Sequence, residues 1–142
     1  MTSTFWGQIR NFDKKEWRDD YNQVNKELIA LVDRLASFVK QKYNGAPCII
    51  HVAWEQTGHA KDSQHYSGNA VDLDFRGVPL RWQLMSAERF EFGGIGVYPF
   101  WKSPGLHLDI RKGEIGARWW KTADGEYEEF NDNLWAILSK VR

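Results

Sequence analysis

Cysteine is almost absent: the 142-residue chain has one, Cys48. A single thiol excludes an internal disulfide framework and any cysteine-based zinc cluster. Net charge is lacking too, because 19 Lys and Arg balance 19 Asp and Glu. That balance argues against a strongly basic nucleic-acid binder. It also argues against disorder, which needs few aromatics and a large net charge, whereas 15% of this chain is aromatic. No apolar run approaches the roughly 20 residues of a membrane span. Residues 1–10 are polar and show no apolar core of a secretory leader, so synthesis in the cytoplasm is expected. A substrate beyond the membrane would then need another component to bring the protein to it. Internal repeats, low-complexity tracts and linkers are missing as well, so one domain over residues 1–142 and a monomer are expected. What the chain does have is 8 tryptophans. In a domain of this size most of them belong to the core, although aromatic surfaces also stack on sugars or bases.

Trp17, Tyr21, Val24, Leu28, Leu31, Leu35 and Phe38 recur at spacings of four and three, which predicts a long helix over residues 14–43. Asp13 is placed as its N-cap with Glu16 as capping-box partner, and Phe12 and Trp17 stand at the staple positions. Asn44-Gly45 and then Pro47 stop it. Strands are expected over residues 48–54, 69–76, 93–98 and 106–110, and a second helix over 79–90. Residues 117–121 and 126–130 read as a hairpin around Asp124-Gly125. Leu134, Leu138 and Val141 suggest a short closing helix. This order predicts an α+β fold, a long N-terminal helix on a mainly antiparallel sheet.

Two strands pair an apolar face with a face of His and Asp. Val71, Leu73 and Phe75 point one way, Asp72 and Asp74 the other; Leu106, Leu108 and Ile110 oppose His107 and Asp109. Aspartate is disfavoured in strands, so these positions need a reason. One reason is charge that protects sheet edges. Another is metal ligation, since His and carboxylate suit Zn²⁺ and three protein ligands leave a fourth position open. His65 enters the Asp72 strand through a turn that Gly68 and Ala70 accommodate. As an isolated pair, His65 and Asp72 carry little weight; their weight comes from combination with His107.

The run Ser63-Gln64-His65-Tyr66-Ser67-Gly68-Asn69-Ala70-Val71-Asp72 fits the pattern S-x-H-x-x-G-x-A-x-D, and Gly105 to Asp109 supplies a later H-x-D strand. Together these runs resemble the zinc D-Ala-D-Ala carboxypeptidase family, peptidase M15, which shares its fold with the hedgehog signalling domain. The resemblance extends over residues 12–120 and takes in the GGIGVYP strand, Arg111 and Trp119. It implies zinc ligands at His65, Asp72 and His107. It also implies hydrolysis of peptidoglycan stem peptides, by a D,D-carboxypeptidase or a cell-wall endopeptidase, with a zinc-activated water as nucleophile.

The sequence departs from the family pattern at two points. Many members carry an acid three residues before the last ligand histidine, where Pro104 stands here, and an Arg in the loop occupied by Ala53-Trp54-Glu55-Gln56. A general base must then come from elsewhere. Asp109 shares a strand face with His107 and is the first candidate, either as that base or as an acceptor that orients a ligand histidine. Asp74 and Glu55 are the other carboxylates in reach. His59 could bind a substrate carboxylate or an oxyanion, Ser63 could supply a hydroxyl that supports a ligand from behind and is not needed as a nucleophile, and Arg111 could pair with a substrate carboxylate; for each, an ordinary surface or turn role competes. His51, in an apolar run, reads as a sheet histidine. Tyr66, Trp54, Tyr98 and Trp101 lie near the motif runs and could wall a cleft. Of Trp119 and Trp120, one should be core and one exposed.

Three readings follow. The first is a zinc peptidase with peptidoglycan stem peptides as its partner, in the manner of a phage or prophage lysis protein. The second is a zinc-containing binding module without turnover, which Pro104 keeps open. The third is a metal-free structural protein.

Overall fold

The computed structural model describes residues 5–55, 58–59, 63–113 and 116–140. Among these described residues, three α-helices, α1 (Lys26–Lys42), α2 (Leu80–Ala87) and α3 (Asp132–Leu138), accompany six strands. The strands are β1 (Cys48–Val52), β2 (Ala70–Phe75), β3 (Gly94–Tyr98), β4 (Gly105–Asp109), β5 (Ala117–Lys121) and β6 (Tyr127–Glu128). They form one sheet in the order β1-β2-β4-β3-β5-β6. All neighbours are antiparallel except β3 and β5, which run parallel. The expected α+β fold with a mainly antiparallel sheet is therefore present. Among the described residues no helix is long and apolar enough to cross a membrane.

The long N-terminal helix is shorter than the periodicity suggests. Residues 14–25 are not α-helical: Lys14–Trp17 and Tyr21–Gln23 are separate 3-10 turns. Arg18 between them has φ of +75°, which no continuous right-handed helix permits. The capping box of Asp13 and Glu16 is real, and the Phe12 and Trp17 rings meet edge-on at 5.6 Å. They cap and staple one turn, not a long helix. The reason is geometric: a 3-10 turn repeats every three residues, so Trp17, Tyr21 and Val24 can all reach the core at spacings that imitate an α-helix. The true start is Asn25, whose side chain accepts from Glu27 N at 2.9 Å. The end falls where expected, with Asn44 and Gly45 both at positive φ.

The apolar face of α1 (Leu28, Val32, Leu35 and Val39) packs into one core with Leu73, Phe75, Ile95, Leu106, Leu108 and Trp120. Asp33, also buried on α1, accepts the backbone N–H groups of Arg10 and Asn11 at 3.1 and 2.9 Å and so ties the N-terminal segment to the helix. The opposite face of the sheet carries Asp72 and Asp74 of β2, His107 and Asp109 of β4, and Gly94 and Gly96 of β3. The C-terminal hairpin is shorter than expected, because β6 holds only Tyr127–Glu128. Asn131 caps α3 through Leu134 N. Val141, expected in this helix, lies outside the described residues.

Candidate metal centre

Strand register brings the first two site residues together. Asp72 of β2 stands opposite His107 of β4, so period-two alternation puts both side chains on the same face. His65 comes from the turn before β2. Ser63 Oγ accepts His65 N at 3.2 Å, and Gly68 N and Asn69 N close the turn on the carbonyls of His65 and Gln64. Gly68 has φ of +77°, a left-handed conformation suited to glycine. The turn aims His65 back over Asp72.

The ligand atoms converge on one point. His65 Nε2 and His107 Nδ1 each lie 3.1 Å from Asp72 Oδ1, and the three candidate ligand atoms are all within 4.8 Å of one another. The far nitrogen of each ring has an acceptor. His65 Nδ1 donates to Ala53 O at 2.7 Å, and His107 Nε2 donates to Asp109 Oδ2 at 2.8 Å. With those protons placed, the neutral rings turn two lone pairs toward a carboxylate oxygen. Three acceptors facing one another repel unless a cation or a proton sits among them, so the donor set fits a divalent metal with His/His/Asp ligation. The acceptors behind the rings are the partners that metal-bound histidines usually have.

Electrostatics follows from this geometry. In the metal-free protein a proton takes the cation's place: burial opposes the Asp72 charge, but hydrogen bonds from His107 and His65, and their charges, hold its carboxyl at about 2. Burial also opposes the Asp109 charge, yet His107 and Arg111 hold it well below the usual carboxylate range. For His107, burial disfavours the imidazolium, while Asp109 and Asp72 outweigh it and raise the pKa above the ordinary histidine value.

The six further candidates lie in different places. Asp109 is 0% exposed and sits at the Nε2 edge of His107, away from Asp72. Both of its oxygens are engaged by Arg111, at 2.9 Å from Nε and 2.7 Å from Nη2. Ser63, His59 and Arg111 line a cleft of about 700 Å³ over the trio. His59 stacks on the His65 ring at 4.4 Å, and its backbone is fixed by the Tyr66 hydroxyl, which accepts from His59 N and donates to His59 O. Burial, then the His65 charge, lowers the His59 pKa. Asp74 does not line this cleft. It bonds His51 Nε2 at 3.1 Å and Arg76, and borders a separate depression with Pro104. Glu55 is exposed and is not among the cleft-lining residues.

Tyr98 and Trp101 do line the cleft, and sequence reasoning missed further members, among them Lys121 and Tyr127. Trp120 is the core tryptophan and Trp119 the cleft one. Once Trp120 is taken as core, alternation along β5 puts Trp119 and Lys121 on the other face, but only the parallel β3–β5 pairing carries that face to the candidate metal site. Two glycines make this possible. A Cβ on Gly96 would lie 2.6 Å from the Trp119 ring, and one on Gly94 would lie 2.5 Å from Asp109 Oδ2. The side chains absent from β3 are the space that Trp119 and Asp109 occupy.

A family model described as peptidoglycan L,D-endopeptidase MepK, within the M15 peptidases, matches residues 8–120. The chain belongs to this family. A Haemophilus influenzae protein named probable peptidoglycan L,D-endopeptidase MepK is 42% identical over 55 residues, which is 39% of this chain. The match spans 28% of that protein's length. All three candidate ligands fall inside the region that the family model covers.

Proposed function

We propose that this protein is a zinc-dependent peptidase that hydrolyses peptide bonds in peptidoglycan stem peptides. The observation that carries the reading is the convergence of His65 Nε2, His107 Nδ1 and Asp72 Oδ1, each ring backed by its own acceptor. Membership of the M15 peptidases supports it. Between the two activities expected from sequence, the names of the family model and of the relative favour a cell-wall endopeptidase over a D,D-carboxypeptidase.

When bound, zinc would polarise the scissile carbonyl and lower the pKa of a water to near neutrality. The chain's own residues do the rest. His65, Asp72 and His107 hold the metal. Ala53 O and Asp109 fix the ring orientations and leave the correct nitrogen free to ligate. Arg111 neutralises Asp109 and keeps it ionised, so Asp109 acts by orienting His107 and not by taking the water proton. Trp119 closes against the His107 ring at 5.1 Å and keeps solvent from that edge.

One observation favours the alternative, a zinc-holding recognition module without turnover. Among the described residues that line the cleft, Asp72 is the only carboxylate. Incubation of zinc-loaded protein with purified peptidoglycan, followed by mass spectrometry of the soluble fraction, separates the two. The peptidase reading expects new stem-peptide fragments, lost on chelation and restored by zinc. No fragments, with binding retained, would establish the recognition module; cleavage that survives chelation would contradict the zinc mechanism.

A further inference from the structure

On the site face of β3, Gly94 and Gly96 carry no side chains, and Tyr98 is the first residue to rise from that face. Its ring is fixed on one side by Trp101, stacked at 4.1 Å with 12° between the planes. Its hydroxyl oxygen is fixed by Trp119, whose Nε1 donates to it at 3.2 Å. Trp119 in turn fits over Gly96, where a Cβ would come within 2.6 Å of the ring, and packs against His107. The phenol oxygen is therefore tied through one indole to a candidate metal ligand.

An indole N–H can only donate, so the Tyr98 oxygen is the acceptor in that bond and its own proton points elsewhere. Burial pushes the phenol well above its ordinary value, so the hydroxyl keeps that proton. The other phenol close enough to act on it is Tyr127, 61% exposed on the cleft lip, whose hydrogen bond also raises the Tyr98 pKa and would have to yield to a bound carbonyl. Tyr98 thus presents a neutral, prepositioned hydrogen-bond donor in the cleft that holds His65, Asp72 and His107.

We propose that Tyr98 Oη donates a hydrogen bond to the oxygen of the scissile carbonyl as that oxygen gains negative charge. The proposal rests on the peptidase reading and adds a catalytic residue to it, with Trp119 as the positioning residue that acts through Tyr98. Donors held in place where charge develops act mainly on kcat and little on ground-state binding.

The test compares zinc-loaded wild type, Tyr98→Phe and Trp119→Phe in three readouts: zinc content, kcat and KM on a stem-peptide substrate, and affinity for a phosphinate peptide that mimics the tetrahedral anion. Tyr98→Phe should keep full zinc and a KM within a few-fold, while kcat falls by about 10²–10³, the usual loss for one oxyanion donor. Phosphinate affinity should fall in parallel. Trp119→Phe, which keeps an aromatic ring and loses the N–H, should lower kcat with the same sparing of KM. A kcat within threefold of wild type in Tyr98→Phe, at full zinc, would overturn the proposal. If that variant fails to fold or to load zinc, an unchanged kcat in Trp119→Phe overturns it instead. If the wild type cleaves no stem peptide, the peptidase reading fails separately. Phosphinate affinity then decides on Tyr98: a drop in the variant supports the donor role, and equal or absent binding overturns it.

Discussion

Asp72 and His107 face each other across the β2–β4 ladder, and His107 Nδ1 lies 3.1 Å from Asp72 Oδ1. The opposite edge of the same imidazole is held by Asp109 at 2.8 Å. One ring thus lies between two carboxylates with different tasks: Asp72 stands where a ligand would, and Asp109 stands where a ligand's orienting partner would. Arg111 completes the line by engaging both Asp109 oxygens.

That line makes Asp109→Asn informative. An orienting carboxylate lost from a ligand histidine costs roughly 10–100-fold in metal affinity. A lost general base costs about 10²–10⁴-fold in rate with metal content unchanged. The expected outcome is the first: weaker zinc binding in competition with a chelator, and most of the activity restored at saturating zinc. Full zinc affinity with a large fall in kcat would return Asp109 to the role of base.

Metal uptake should depend on pH through His107. Its pKa in the metal-free protein lies above the ordinary histidine value, so on the acid side of it the ring carries two protons and cannot ligate. Zinc must then displace a proton, and affinity falls as pH drops through that raised pKa. Calorimetry in buffers of different ionisation enthalpy should detect proton release at about pH 6.5 and progressively less at alkaline pH. Release that does not vary with pH would contradict the assignment.

The floor of the site is predicted to be intolerant of side chains. A Cβ on Gly96 would stand 2.6 Å from Trp119, so Gly96→Ala should overpack the site and cost about 1–3 kcal/mol in denaturant unfolding. In an open strand position the same change adds β propensity and costs nothing. A Gly96→Ala protein as stable as wild type would show that Trp119 does not rest there.

The start of α1 can be checked through its cap. Asn25 bonds Glu27 N, so Asn25→Ala should cost about 1 kcal/mol. Asp13→Ala should lower stability without reducing helix content by circular dichroism, because Asp13 caps a 3-10 turn. Loss of helical signal in Asp13→Ala would restore the continuous helix.

The parts legible in the sequence were those governed by strict periodicity and short range. Alternation in AVDLDF and GLHLD placed Asp72, His107 and Asp109 on one face before any strand was paired. The same rule could not say which ring nitrogen Asp109 would meet, because that depends on the rotamer of His107. It could not separate Asp74 from the site either: Asp74 shares the face but is drawn off by His51 and Arg76. Spacings of three and four could not distinguish 3-10 turns from an α-helix before Asn25. Lys121 and Tyr127 reach the cleft only because β5 joins β3 in parallel, a long-range pairing with no local signal.

Zinc titration into metal-free protein tests the central claim most directly, since everything proposed for the cleft depends on the trio holding a metal. The account predicts one zinc per chain bound tightly by wild type, with a rise in melting temperature because binding adds to folding stability. His65→Ala and His107→Ala should each lose that binding and that rise. Wild-type protein that binds no zinc, or variants that bind it as tightly as wild type, would contradict the account.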